Sequence, residues 1–529
     1  MQPDIIGILI YLSENAPAPA PEIVAEALQR LSASSEFSNA KIYVAPGSQY
    51  AASGANIKAN LEVIQGTPLE CLHEIFAATT GDAQDTVAIC YGFYALLDSE
   101  LTRAALADHT QYLAHFTYSE NIPAGFVPDF VSRDFIAGLD ADGAPELSKP
   151  AELSGSGDLR AFAFRNIDRF DVELFYRSPD LRQFRLDLSG ITSRSRWLVD
   201  RVRTLAPALA FADLEKFLRE HPEVLRPYPA YFEVELSAQF QHAAFQPGIL
   251  PVPPEPVAAA RATQKFLSAD LIQKLHDDIA ANALDQDVTV SFAGAGEPFA
   301  HPGFVQIVGD FLRLAPVRQV IIETWGVGID AAQVDALFAV AGSECITVIV
   351  RVDSLQPARY ATLYGADVGA DVFAFLDVLA HALNQIKASH PERVPRVFAE
   401  MHRLAETEDE LGAFMDRFDA PDQPIRPLLQ KYNRYIDRLP ERRAADLTPL
   451  VREFCWHLAR DFYLTVDGRV PVCKQDPYGE NPATQDFSKR SVLEIVAQTM
   501  PYHNASVRGE HAAVPMPCLR CDEWYTFNA

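Results

Sequence analysis

The stretch Ser291-Phe292-Ala293-Gly294-Ala295-Gly296-Glu297-Pro298, followed by His301-Pro302, ends a strand predicted over 288–292 on a glycine-rich turn. Glycines let backbone approach a ligand closely, and exposed carbonyls there accept hydrogen bonds from an ammonium. Taken alone, the turn reads equally as an ordinary tight connection between a strand and a helix. Its surroundings extend the reading. Strands are predicted at 231–236, 288–292, 320–323, 346–350 and 397–401, with helices at 269–282, 304–314, 331–341, 373–386 and 408–418. Such repeated β-then-α units predict an open or partial (β/α) barrel, whose chemistry sits at the carboxyl ends of the strands.

Upstream, short apolar runs at 5–12, 41–44, 61–64 and 86–90 alternate with helical patterns at 21–32, 68–78 and 100–113, which predicts a second parallel α/β sheet. Further strands are expected over 171–174 and 180–185, then a helical stretch over 194–220. His221-Pro222 and Pro227-Tyr228-Pro229 mark a domain boundary. The segment from Pro247 to Pro256 holds five prolines and reads as a loop. The predicted domains are 1–225, 226–430 and 431–529, in keeping with roughly three units at about 150 residues each.

An apolar fraction of 48% suits a globular chain with sizeable cores, and a net charge of −26 argues against nucleic acid as a partner. Residues 426–443 concentrate basic side chains, but Asp437 and Glu441 interrupt them, so they read as a solvated helix face. No stretch approaches the apolar length of a membrane span, and Met1-Gln2-Pro3-Asp4 lacks the positive start of a secretory signal. A cytoplasmic protein is expected, with a protein or peptide as the partner class left open.

Seven cysteines in 529 residues are too sparse for a disulfide framework. Cys71, Cys90 and Cys345 lie in apolar patterns and read as core residues. Cys455, Cys473, Cys518 and Cys521 instead cluster in the last 75 residues. Residues 462–473 read as a hairpin turning at Asp467-Gly468 and ending in Cys473, and Cys518 and Cys521 form a CxxC pair. By count, four thiolates suit one 4Fe–4S cluster, a 2Fe–2S cluster or Zn2+. A small module with little core needs such a cross-link.

The strand ends resemble those of radical S-adenosylmethionine (SAM) enzymes over about 200 residues. The glycine turn is similar to their glycine–glutamate motif, Glu323-Thr324-Trp325-Gly326 to the turn after strand three, and Arg351-Val352-Asp353-Ser354 with Tyr360 and Gly365 to the segment after strand four. The resemblance implies SAM at Ala295, Gly296, Glu297, Thr324 and Asp353. In that family the first strand, here Tyr231 to Leu236, runs into CxxxCxxC. This chain carries Phe240, Ala244 and Pro247 at those positions, with His242 read as a solvent-facing loop residue. Three thiolates are needed to hold the cluster that cleaves SAM, so reductive cleavage is not expected, although SAM or a nucleotide remains a candidate ligand.

The C-terminal cysteines resemble the SPASM domain of radical SAM enzymes, in the shortened form called twitch, and imply one 4Fe–4S cluster with Zn2+ as the alternative. Residues 63–130 resemble sugar-nucleotide cytidylyltransferases at Gly66-Thr67-Pro68, the segment 87–98, His109 and Pro123-Ala124-Gly125. Here Phe93 stands at the family's metal-binding Asp, Asp98 reads as structural, and 13–21 supplies no glycine or positive charge for a phosphate. The whole order resembles the spiro-SPASM proteins. It implies a catalytically degenerate iron–sulfur protein that acts in binding, scaffolding or redox partnership. A divergent enzyme using the C-terminal cluster for electron transfer, or a zinc-stabilised structural protein, is the alternative.

Overall fold

Runs of β-branched and aliphatic residues bounded by turn formers become buried strands, and this chain has two sets of them. The computed structural model describes residues 5–12, 21–33, 37, 40–45, 61–79, 81–140, 159–160, 163, 166–240, 248–446, 448–514 and 516–526. The chain is α/β, built on parallel sheets, and divides into two units, Met1–Leu225 and Arg226–Ala529. No helix among the described residues is long and apolar enough to cross a membrane.

The strands of the first unit are β1 (Ile5–Tyr11), β2 (Lys41–Ala45), β3 (Leu61–Val63), β4 (Thr86–Tyr91), β5 (Phe116–Tyr118), β6 (Asp129–Ser132) and β7 (Val172–Leu174). Their order is β3-β2-β1-β4-β6-β5-β7. The half β3-β2-β1-β4 is parallel and ordered as in doubly wound sheets, whereas β6 runs antiparallel to both its neighbours. The expected strand over 180–185 is instead a short 3-10 turn at Arg182–Phe184, and the helical stretch after it is two helices, Ser193–Leu205 and Phe211–Glu220. Pro207 lies between them, where its ring forbids continuation.

The second unit holds β8 (Tyr231–Val234), β9 (Val288–Phe292), β10 (Val317–Thr324), β11 (Ile346–Arg351), β12 (Arg396–Arg403), β13 (Arg426–Lys431) and β14 (Asp461–Leu464). All pairings are parallel and the order is β13-β12-β11-β10-β9-β8-β14. From β8 to β13 each strand lies beside the next in sequence, so the chain winds in one direction, and β14 then returns to pair with β8. Side chains of the two edge strands, Lys431 of β13 and Tyr463 of β14, line one cavity, so the sheet is curled. The helices cover the outer face over a core that runs from Phe232 through Val290, Ile322 and Val350 to Met401.

Three local readings are corrected. Residues 426–431 form an edge strand rather than part of a helix face. The hairpin over 462–473 survives only as its turn, because β14 pairs with β8, and β15 (Arg469–Val470) pairs with β16 (Gln485–Asp486). Cys345 is half-buried at the end of a 3-10 turn, unlike Cys71 and Cys90, which are buried. Asp98 caps the helix Ser99–Gln111 through Glu100 N and Leu101 N, and Phe93 is buried.

Candidate functional site: a charged strand-end cavity beside a four-thiol cavity

Strand side chains alternate between two faces, so every second residue points to the same side. On the inner face of the curled sheet, Tyr231, Ile321, Ile349, Phe398 and Leu428 pack together as an apolar floor. Two residues further along each strand stand Glu233, Glu323, Arg351, Glu400 and Gln430, and all of these line a cavity of about 120 Å3. The floor and the charged layer thus follow from one pattern, apolar-x-polar, at the end of five strands. His402, Lys431, Tyr435, Lys474 and Glu523 are further wall residues. Tyr435 opens a run of three residues with left-handed backbone, with φ of 48°, 58° and 64° for Tyr435, Ile436 and Asp437. Such strain, held only where surroundings dictate it, concentrates at functional sites.

Arg351 is the hub of the layer. Its Nη2 donates to Glu323 Oε2 at 2.9 Å, its Nε lies 3.5 Å from Glu400 Oε2, and its guanidinium stands 4.3 Å from the Trp325 ring centroid. Burial works against its charge, but Glu400 and Glu323 outweigh that and raise its pKa. One guanidinium faces three carboxyls. Burial, and then the Glu323 charge, push Glu233 up to about 8 from an ordinary 4.5, against the pull of Lys474. Burial also raises Glu400 despite His402 and Arg351.

The five positions implied for SAM come near one another at the ends of β9, β10 and β11, but they are used differently. Ala295 lines the cavity; Gly296, Glu297, Thr324 and Asp353 do not. The buried Glu297 accepts from Trp325 N at 3.0 Å and Phe299 N at 3.2 Å, and the Thr324 hydroxyl lies 3.0 and 2.9 Å from its two oxygens. Burial raises Glu297 to about 7 even so. Asp353, fully buried, accepts from His402 N and pairs with His402 Nδ1, both at 2.8 Å, and from the Tyr364 hydroxyl. A Cβ added at Gly296 would stand 2.0 Å from Ser237 O, so this glycine admits the backbone that follows β8. That segment is fixed by Glu297 N donating to Gln239 O at 2.8 Å.

Glu235 is the residue that sequence reasoning missed here. Its carboxylate takes both arms of Arg261, at 2.8 and 2.5 Å, together with Ala295 N at 3.0 Å and Val466 N at 2.9 Å. Both partners of the ion pair are more than nine-tenths buried. Phe240 packs edge-on against Trp325 at 6.0 Å. Ala244, Pro247 and His242 lie outside the described residues.

The four C-terminal cysteines, far apart in sequence, line a second, small cavity with Arg452, Lys474, Gln475 and Glu523. Cys455 precedes the short helix Trp456–Arg460, Cys473 follows β15, Cys518 lies in the turn of helix Met516–Leu519, and Cys521 N donates to Cys518 O at 3.4 Å. Cys455, Cys473 and Cys518 are buried and Cys521 partly so. Burial, then the Cys455 charge, push the Cys518 thiol up to about 12. Burial and the other three sulfurs hold Cys473 high as well. No group of three or more His, Cys, Asp or Glu among the described residues is arranged to hold a single metal ion. The donor set nevertheless fits a bound cationic centre. Four mutually repelling sulfurs share one cavity, and both side-chain atoms of the buried Gln475, with Arg452 Nε, have no hydrogen-bond partner among the described residues. Buried polar atoms of this kind ordinarily have partners. Lys474 and Glu523 line both cavities.

No protein-family profile matches this chain. It is 28% identical over 370 residues to an uncharacterized protein of Treponema pallidum (strain Nichols), a match spanning 69% of this chain and 96% of that one. Among solved structures, it is similar to Streptococcus suis SuiB bound to precursor peptide SuiA, with TM-score 0.40, 13% identity, and 59% of this chain and 74% of that chain covered. It is also similar to BtrN in complex with AdoMet and 2-DOIA, with TM-score 0.32, 14% identity, and coverage of 54% and 90%. A third is native anSMEcpe with bound AdoMet, at TM-score 0.36, 10% identity, and coverage of 56% and 87%.

Proposed function

We propose that this chain is an iron–sulfur protein on the radical SAM plan, with an open (β/α) barrel, a SPASM-type cysteine module and a nucleotidyltransferase-like first unit. Its role is binding or redox partnership rather than reductive SAM cleavage. One observation carries the reading: four thiols from three separate stretches of chain line a single cavity that also presents unfilled hydrogen-bond donors. When bound there, a cluster supplies a one-electron redox centre. The chain's part is to surround it. Arg452 and Gln475 offer N–H donors toward sulfur acceptors, Lys474 offers positive charge, and burial keeps water away. Neutral buried thiols become good ligands once metal charge replaces their protons.

Support for the lost cleavage step comes from the strand ends of the barrel. Phe240 stands at the first position of the expected cysteine triplet and packs on Trp325. The Ala295 amide is already taken by Glu235. In the first unit, Asp98 serves as a helix cap and Phe93 is buried, so neither position offers a carboxylate to a nucleotide-bound metal. The thiol set also suits Zn2+, the second reading.

Anaerobic purification of the full chain followed by iron, sulfide and zinc quantitation tests this. Roughly four iron and four sulfide per chain, lost in Cys518→Ser with Cys521→Ser, is the expected result. One zinc without sulfide overturns the redox half and leaves a structural metal site. Full metal content in the double variant overturns the ligand assignment.

A further inference from the structure

The charged layer at the strand ends holds more negative capacity than the protein itself uses. Glu233, Glu323 and Glu400 come from three strands and converge on one cavity with a single guanidinium among them. Arg351 donates to Glu323. It reaches Glu400 only at 3.5 Å, and Glu400 Oε2, buried, has no hydrogen-bond donor among the described residues. Glu233 lines the same cavity with no side-chain hydrogen bond among the described residues, and feels Lys474 and Arg351 only through their charge. Of the cations at the mouth, Lys431 is engaged with Glu523 at 2.9 Å. Buried carboxylates without donors are costly, and their natural complement is a cation that brings its own N–H groups.

We propose that this cavity binds a small aliphatic amine in its ammonium form, held by Glu233, Glu323 and Glu400. An ammonium carries three donors, which matches carboxyl oxygens arriving from three directions. The aromatic rings of Tyr432, Tyr435 and Tyr463, with Ile249 and Leu250, line the same cavity and suit the methylene chain of an amine. A divalent metal fits less well, since a guanidinium stands among the would-be ligands and the space of about 120 Å3 exceeds one ion. An anion would face three carboxyls.

The empty cavity is neutralised in part by a proton. Glu323 and Asp461 oppose ionisation of Glu233, Lys474 and Arg351 favour it, and Glu400 and His402 on β12 carry opposite signs. An ammonium at this place substitutes for that proton. Binding at neutral pH therefore releases protons, and affinity rises as the pH approaches 8.

Isothermal titration of the full-length protein with 1,5-diaminopentane, and in parallel with 1,5-pentanediol, tests the proposal. The expected result is saturable binding of the diamine but not the diol, with proton release seen as a dependence of the heat on buffer ionisation enthalpy. Glu233→Gln and Glu400→Gln should each weaken binding about tenfold or more, the equivalent of one charge-assisted hydrogen bond. Equal binding of diamine and diol, unchanged affinity in both variants, or saturation by Mg2+ in place of the amine would overturn it. Circular dichroism confirms that the variants are folded. Iron and sulfide are measured on the same samples, so a parent protein that fails to bind the diamine while its cluster is intact sinks this proposal alone and leaves the iron–sulfur reading standing.

Discussion

Replacing Glu233 with Gln isolates what it takes to keep a carboxyl in the strand-end cavity. The group titrates near 4.5 in an unfolded chain and is pushed up to about 8 in the fold by burial and by Glu323. The folded state therefore holds this proton more tightly than the unfolded state. The stability it contributes is complete below about pH 4.5 and is lost as the pH climbs through 8. A span of about 3.5 units at ~1.4 kcal/mol each sets a ceiling of ~5 kcal/mol. Glu233 is only partly buried, and water in the cavity together with Lys474 screens much of this, so about 1–3 kcal/mol is expected. Gln keeps the shape and cannot ionise. Urea unfolding followed by tryptophan fluorescence, without added amine, should find the variant no more stable than the parent at pH 5 but more stable by about 1–3 kcal/mol at pH 8.5. In thermal melts the gain at pH 8.5 is a few degrees. Equal effects at the two pH values, or a loss confined to pH 8.5, would refute the reasoning, because either result means that Glu233 is ionised at little cost in the fold.

Arg261→Ala leaves Glu235 buried and uncompensated, and should lower unfolding free energy by about 3–5 kcal/mol in urea titrations; a change under 1 kcal/mol would show that the pair is solvated. Gly296→Ala forces a Cβ to within 2.0 Å of Ser237 O, so the variant should be destabilised without any ligand present, by about 3 kcal/mol or more; a variant of parental stability would return that glycine to a ligand-binding role. Under strong reductant with SAM, the purified protein should form no 5′-deoxyadenosine, and sustained formation measured by chromatography would mean that the cleavage machinery is intact.

Much of the second unit was legible in the sequence because its strands are long and apolar and its helices amphipathic. The strand at 288–292 and the helix at 269–282 stand where periodicity places them. What was missed failed for identifiable reasons. β13, Arg426-Pro427-Leu428-Leu429-Gln430-Lys431, has charged ends and a proline that only an edge strand tolerates, so its composition resembles a solvated helix. The helix Val492–Arg508 contains Pro501, which reads as a breaker, but its Ser491–Glu494 capping box was available as a signal. β5 and β6 have only three and four residues, too few for alternation to register. The charged layer was overlooked because each member was counted as the end of a strand; comparing the five strands side by side exposes the shared apolar-x-polar ending.

Partnering separates the acids that hold this fold from those that face a ligand. Glu297, Asp353 and Glu235 sit where sequence motifs draw the eye, but each has its oxygens filled by backbone amides, hydroxyls, an imidazole or a guanidinium of the same chain. A carboxylate so engaged must give up several charge-assisted bonds before it can take a new partner, and each is worth about 1.5–3 kcal/mol. The glycine–glutamate turn thus fastens β9 and β10 to the segment after β8, and its presence needs no ligand to explain it. Glu233 and Glu400 belong to no motif, yet they line a shared cavity, and Glu400 Oε2 has no hydrogen-bond donor among the described residues. Stability alone would favour replacing them with residues that do not ionise. Their presence at the carboxyl ends of parallel strands, beside an arginine that cannot satisfy them all, is the physical reason to look for ligand binding there rather than at the motif.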